Sequence, residues 1–297
     1  MAELGRCIAM GRTSDVFAFG RGRVVKVPRA HVPSHWAAME ARLASSVSRA
    51  GLPVPAVLDV VTIGGRDAIV FERVSGPSMW ELMRRDITAA RTLGALLVEV
   101  HHRVHSVPAP PEIPRLGALL ESKISNAPEL WDDERPEALF MARSLPEESS
   151  LLHGDLHPCN VVMGEDGPVV IDWFDAAMGP PEADLVRTSL LLRPPPAGSI
   201  GYRPHLPGAS RSILAAVHDS FLDAAGLSWN GQGLGGSGAR WEAVLAVARL
   251  AERVQGNDEE LMAVWQRRRV ADLDRRLPRV DRPRGLTGLS IERPRPA

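Results

Sequence analysis

His153-Gly154-Asp155-Leu156-His157-Pro158-Cys159-Asn160, followed by Ile171-Asp172-Trp173 at the end of an apolar run, sets out a carboxylate, an amide and a second carboxylate in a fixed order. Phosphoryl transfer from ATP needs that order: one carboxylate to hold an acceptor hydroxyl, then an amide oxygen and another carboxylate to hold Mg²⁺ against the phosphates. Asp155 is therefore the candidate catalytic base, able to take the hydroxyl proton late in the transfer. Asn160 and Asp172 are the candidate metal ligands, because Mg²⁺ prefers oxygen donors. A single Asp after a Gly would read as a turn former; the spaced trio is what points to chemistry.

A transferase of this kind also needs a cation on the nucleotide phosphates and a carboxylate to orient it. Lys26, mid-strand in Val24-Val25-Lys26-Val27, and Glu40, in the helix that follows, are the candidates. Gly11-Arg12-Thr13-Ser14-Asp15-Val16 stands where a phosphate-covering loop belongs, and Thr13 and Ser14 offer hydroxyls there, although the G-x-G-x-x-G pattern is missing. Among the histidines, His153 reads as a support for the loop, and His157 is open between support and substrate contact. His101 and His105, four apart on one helix, have a zinc-compatible spacing but no third ligand nearby in sequence, so they read as buried, hydrogen-bonded side chains. Asp184 reads as an N-cap or a loop anchor. Cys159 has no activating base beside it and reads as a small loop residue.

The elements that must position these groups follow from periodicity and turn residues. Val16–Phe19 and Arg23–Val27 form a hairpin around Gly20-Arg21-Gly22, and Ser34 caps a helix from His35 to Ala50. Strands Ala56–Ile63 and Asp67–Arg73 come next. Val74-Ser75-Gly76-Pro77 reads as a linker. Leu93, Leu97, Val100 and Val104 make one stripe of a buried helix, Thr88 to His105. A proline-rich loop over 107–115 precedes helices Leu116–Asn126 and Glu137–Arg143. Val161–Met163 and Val169–Ile171 pair as a hairpin that brings Asn160 near Asp172. Further helices are expected at Arg211–Ala225, Arg240–Arg253 and Glu259–Arg276, with a flexible glycine-rich loop from Gly226 to Gly238. The arginine- and proline-rich stretch from Pro278 is expected to be disordered.

The 297 residues suffice for two lobes with a substantial core. A formal net charge of −1 gives no global attraction for nucleic acid or an anionic membrane. Cys7 and Cys159 are far apart, which argues against a disulfide framework and for a reducing, cytoplasmic compartment. The N-terminal residues lack an apolar signal segment, and no run reaches the ~20 apolar residues of a membrane helix.

With these residues in place, the chain resembles the aminoglycoside phosphotransferase family, relatives of choline and fructosamine kinases with a protein-kinase-like fold. Asp155 and Asn160 have the spacing of the H-R-D-x-x-x-x-N loop, with Gly154 replacing Arg, and Trp173 stands where protein kinases carry the Phe of D-F-G. Gly179-Pro180-Pro181-Glu182-Ala183-Asp184-Leu185 is similar to the family's G-x-P-x-x-D-L segment. Leu97 to His105 looks like its helix ahead of the catalytic loop. Phe71-Glu72-Arg73-Val74-Ser75-Gly76 resembles its interlobe hinge.

The resemblance implies a two-lobed α+β fold with an N-terminal antiparallel sheet plus helix and a mainly helical C-terminal lobe. The expected division is a nucleotide-binding lobe at 1–74, a lobe with the catalytic loop and acceptor site at 75–277, and a tail at 278–297. It implies ATP or GTP, Mg²⁺, adenine met by the backbone of Glu72 to Val74, and phosphorylation of a hydroxylated small molecule, either antibiotic or metabolite. Glu252, Asp258, Glu259 and Glu260 are either an acidic acceptor patch or a solvated helix face. The alternatives to a small-molecule kinase are a protein Ser/Thr kinase and a non-catalytic nucleotide-binding pseudokinase module.

Overall fold

The computed structural model describes residues 4–33, 35–195, 206–231, 233–253 and 258–276. The N-terminal sheet consists of β1 (Cys7–Met10), β2 (Ser14–Ala18), β3 (Arg23–Pro28), β4 (Val57–Ile63) and β5 (Arg66–Glu72) in the order β1-β2-β3-β5-β4, with every neighbour antiparallel. Helix α1 (His35–Arg49) joins β3 to β4 and packs on β4 and β5. Its buried residues Ala37, Glu40, Ala41, Ala44 and Val47 recur every three or four positions and make one face. Glu40 is the one carboxylate on that face, so it must be paired to be tolerated there.

The segment after β5 passes close to the strand that carries Met163. Met163 donates its N–H to Pro77 O at 2.9 Å. Gly76 has φ +139°, and a Cβ there would lie 2.1 Å from Met163 O. The chain then forms two helices where the sequence reading has one: α2 (Met79–Arg85) and α3 (Ile87–His105). Ser78 and Glu81 form a capping box that starts α2, and Asp86 caps α3 through Thr88 N.

Helices α4 (Leu116–Ser125) and α5 (Glu134–Arg143) precede β6 (Ser150–Leu152), which pairs with β9 (Ala177–Gly179). Between them β7 (Val161–Gly164) and β8 (Gly167–Val170) form the expected hairpin, with Val161 opposite Val170. Helices α6 (Pro181–Leu192), α7 (Arg211–Ala225), α8 (Gly238–Leu250) and α9 (Asp258–Arg276) complete the described chain. Met79, Trp80, Leu97, Leu151, Leu156, Trp173 and Phe221 belong to the core that also holds Val161 and Val170 of the β7–β8 hairpin. Leu120, Ile124, Trp241, Val244 and Trp265 belong to a second core, among α4, α5, α8 and α9. The glycine-rich segment is turned back on itself by a bridge between Trp229 and Leu234. The expectations for Ser34 and for residues 278–297 lie outside the described residues. No described helix is long and apolar enough to cross a membrane.

His218, on α7, is 1% exposed, lies 3.0 Å from Ser189 Oγ and meets Trp229 edge-on. Burial, helped by the charge of Arg193, lowers its pKa to about 3. Between pH ~3 and ~6.5 the unfolded chain binds the extra proton, so stability is full above the unfolded pKa and falls as the solution is acidified. About 2 kcal/mol should be lost between pH 6.5 and 5. Urea unfolding at pH 7 and pH 5 checks this: His218→Gln should flatten the difference, and an unchanged difference would locate the acid sensitivity elsewhere.

Candidate active site

Lys26 sits mid-strand in β3, opposite Val16 and Ile69, which aims it between the sheet and α1. Its Nζ lies 2.6 Å from Glu40 Oε1 and 2.8 Å from Asp172 Oδ1. Burial opposes charge on the amine, but the fields of Asp172 and Glu40 outweigh it and hold the pKa above its ordinary range. Burial pushes the Glu40 carboxyl up while Lys26 pulls it back. Asp172 reaches this position with φ +66°, a left-handed conformation that a non-glycine residue holds only when its surroundings enforce it. They do so here. Trp173 is buried, donates Nε1–H to Val170 O at 3.1 Å and packs on His153; Phe174 packs on Trp36 of α1 at 4.6 Å.

The loop that carries Asp155 hangs from one carboxylate. Asp184 accepts N–H bonds from His153 at 3.0 Å and Gly154 at 2.9 Å, and lies 3.1 Å from His105 Nε2 and 3.4 Å from His101 Nδ1. Burial would raise this carboxyl, and the hydrogen bonds to His101 and His105 outweigh it, holding it well below the usual carboxylate range. Helix α6 begins at Pro181 with Pro180 as its cap, so Asp184 is the loop anchor and not the N-cap. It also supplies the third group absent from the local sequence around His101 and His105: the three place ligand-type atoms within 4.8 Å of one another. Both Asp184 oxygens are already committed to backbone amides, which marks the cluster as a support.

His153 Nδ1 accepts from Asp155 N and its Nε2 lies 3.0 Å from Ile171 O, so a neutral ring with the proton on Nε2 satisfies both and ties the Asp155 turn to the strand before Asp172. Gly154 has φ +77°, and a Cβ there would stand 2.1 Å from Asp175 O. Any side chain at this position, including the arginine of the protein-kinase loop, would collide with that carbonyl. Gly154→Ala should cost at least about 1–3 kcal/mol and reduce turnover along with it; thermal unfolding and steady-state assays on the same preparation test both.

Asn160 ends a 3-10 turn (Pro158–Asn160) capped by His157, whose Nδ1 accepts from Cys159 N. His157 is buried and is thus a loop support, its Nε2 3.6 Å from Asp155 Oδ2. Asn160 donates Nδ2–H to Asp155 O at 3.0 Å, and its main-chain O accepts from Ile171 N. That orientation leaves the amide oxygen of Asn160 for a cation, and Asp172 offers its carboxylate, 40% exposed. The donor set is all oxygen and fits Mg²⁺. Burial pushes the Cys159 thiol up to about 12, so it is no nucleophile at neutral pH.

Thr13 and Ser14 lie at the β1–β2 turn, closed by Gly11 N–H on Ser14 O, and Thr13 O accepts from Arg29 N. Ser14 is buried and pairs with Pro28. Among the described contacts neither hydroxyl meets Lys26, Asp155, Asn160 or Asp172. Glu72 closes β5 opposite Arg23, and Val74 lies beyond it at the crossing toward β7.

The structure adds Arg187, Lys123 and Asp175, which the sequence reading does not single out. Arg187 of α6 lies 3.2 Å from Asp155 Oδ1 and 2.9 Å from Glu252 Oε1, and donates Nε–H to Gly154 O. Lys123 lies 3.1 Å from both Asp175 Oδ1 and Glu252 Oε1. Two features of the chain bear on them: Arg187 lies on the buried helix that ends in Leu190-Leu191-Leu192, and Asp175 follows Asp172 by three positions. Of the four acidic residues read as either an acceptor patch or a solvated helix face, only Glu252 lines the pocket beside the Asp155 loop; Asp258, Glu259 and Glu260 are in the first turn of α9. From the phosphate-loop position, Arg12 donates to Glu252 O at 2.8 Å.

A family model described as "Phosphotransferase enzyme family" matches residues 6–205. Among curated proteins, the probable serine/threonine-protein kinase BUD32 homolog of Archaeoglobus fulgidus is 38% identical over 63 residues, 21% of this chain. That match spans only 29% of the relative's length. Among solved structures, a thermostable mutant of aminoglycoside phosphotransferase APH(4)-Ia, in ternary complex with AMP-PNP and hygromycin B, aligns with a TM-score of 0.58 at 18% identity, covering 91% of this chain and 92% of that one. A choline/ethanolamine kinase family protein from Mesorhizobium loti aligns at 0.53 with 14% identity, covering 91% and 88%. The GDP complex of an aminoglycoside 2'-phosphotransferase-IIIa mutant aligns at 0.51 with 14% identity, covering 92% and 93%. At such identities the shared property is the fold, an antiparallel sheet with one helix followed by a helical part.

Proposed function

The chain belongs to the phosphotransferase enzyme family, and from that premise we propose that it moves the γ-phosphate of ATP to a hydroxyl of a small molecule, with Asp155 as base and Asn160 and Asp172 as Mg²⁺ ligands. Residues 1–74 form the nucleotide lobe and 75–277 the acceptor lobe, with Glu72 to Val74 at the adenine. The strongest support is the convergence of Lys26, Glu40 and Asp172, which the chain separates by as many as 146 positions, on one cluster with contacts of 2.6 and 2.8 Å.

Each group has one task. Lys26, oriented by Glu40, meets the nucleotide phosphates. When bound, Mg²⁺ neutralises charge developing on the phosphoryl oxygens. Asp155 accepts a hydrogen bond from the acceptor hydroxyl and takes its proton as transfer proceeds. Arg187, at 3.2 Å, orients the Asp155 carboxylate, and Asp184 fixes the loop that carries it. Two unbridged cysteines, Cys7 and Cys159, accord with a cytoplasmic enzyme.

The short likeness to a probable serine/threonine-protein kinase favours, as a second reading, a protein acceptor. Against it, only residues 171–176 separate β8 from β9, a small space for an activation loop.

ADP release with ATP or GTP and Mg²⁺, over aminoglycosides, sugars, choline and thiamine, tests the main reading. Acceptor-dependent release that chelation with EDTA removes and Mg²⁺ restores is the expected result. Nucleotide binding without turnover on any acceptor would favour a non-catalytic module, and label transfer to lysate proteins would favour a protein kinase.

A further inference from the structure

The pocket beside the catalytic loop is bounded by α4, α6 and α8. Its wall is apolar: Leu116, Leu119, Leu120, Leu152 and Leu245 all face it. The charged side chains that line it are Lys123, Asp175, Asp184, Arg187 and Glu252. Arg187 links this open pocket, about 40 Å³ in volume, to the Asp155 carboxylate, so the end of an acceptor whose hydroxyl meets Asp155 would point toward these walls.

The charge balance decides what kind of body fits. Asp175 has Lys123 at 3.1 Å; Glu252 has Arg187 at 2.9 Å, Lys123 at 3.1 Å and Arg249 at 3.6 Å. Asp184 is held by two backbone amides and two histidines. Every carboxylate among the described lining residues thus already has a partner. Burial would raise the Glu252 carboxyl, but Arg187, Lys123 and Arg249 outweigh it and keep it ionised inside that network. A guest bearing several ammonium groups would have to break these contacts and place its charges beside Lys123 and Arg187, and like charges at such range repel. An apolar guest surface breaks nothing and gains from burial against Leu116 and Leu119, the two half-buried leucines of the wall.

We propose that this pocket takes a neutral hydroxylated acceptor with an apolar face, and that it discriminates against polycations. The proposal rests on the phosphotransferase reading above and narrows its acceptor class. Leu119 supplies apolar wall, and Lys123 keeps Asp175 and one side of Glu252 covered.

The test measures Mg·ATP-dependent ADP release by the full chain on four acceptors. Hexyl β-glucoside is the neutral alcohol with an apolar body, glucose carries similar hydroxyls without that body, and hygromycin B and kanamycin are the polycations. The kcat/KM for hexyl glucoside should exceed that for glucose by about tenfold or more, as burial of a few methylenes implies, and should exceed both polycations. Leu119→Ser should bring the glucoside-to-glucose ratio toward one. Lys123→Gln should raise turnover of kanamycin by uncovering carboxylates. A polycation preferred by the wild-type chain overturns the acceptor class. So does a ratio indifferent to Leu119→Ser, or no glucoside turnover while basal ADP release persists. Basal release without acceptor, compared with Asp155→Ala, reads the phosphotransferase separately: no Asp155-dependent release under any condition sinks that underlying reading.

Discussion

Asp155→Asn lowers acceptor-dependent phosphoryl transfer by about 10²–10⁴-fold, the range expected for removal of a positioned general base, and leaves Mg·ATP affinity within about threefold. The separation of the two effects follows from how the loop is tied. Asn160 is oriented by the main-chain oxygen of Asp155 and not by its carboxylate. Lys26 is held by Glu40 and Asp172. An isosteric amide at position 155 therefore leaves the nucleotide groups where they are while removing the proton acceptor. Stopped-flow nucleotide binding beside steady-state turnover measures both. Activity within tenfold of the wild type would remove Asp155 from the base role; a parallel loss of nucleotide affinity would make it part of the nucleotide site.

Asp184→Ala destabilises the fold by about 3–5 kcal/mol, the usual result of removing one partner from a buried charged network. Asp184 is 1% exposed, and its loss leaves the amides of His153 and Gly154 and the ring of His105 without their acceptor. Asp184→Asn should restore only part of the stability. The two loop amides use both carboxylate oxygens, whereas an asparagine supplies one oxygen and turns a donor toward the other amide. The folded-state carboxyl is held low, so its stabilisation is present above the unfolded value near 3.8 and is lost as pH falls through the folded value. Guanidinium unfolding of the two variants at neutral pH checks the order. Loss below about 1 kcal/mol for Asp184→Ala would mean that the loop is held by other contacts.

The elements around Asp155, Asn160 and Asp172 were legible in the chain because their signals are local. The spacing of Asp155 and Asn160 lies within one loop, and the β7–β8 hairpin is written in two apolar runs around a Gly-flanked turn. Helix α1 and strands β2 to β5 appeared within a residue or two of their observed ends. What escaped has particular causes. β1 is exposed along its whole length, so it lacks the alternation that marks a half-buried strand. α2 is two turns long, and its only signal was the Ser78–Glu81 capping box. β6 and β9 have three residues each, too few to show a period.

By itself, then, the sequence determined the scaffold and the spacing of Asp155, Asn160 and Asp172, since hydrophobic period, turn chemistry and loop spacing are properties of neighbouring residues. Only the tertiary structure decided that Asp184 anchors the loop, that Arg187 meets Asp155, and that Glu252 enters the pocket already neutralised by Arg187 and Lys123 from 65 and 129 positions away. Electrostatic energy depends on distance in space and on the surrounding dielectric. The charge character of a pocket therefore becomes readable only after folding has placed its charges beside one another.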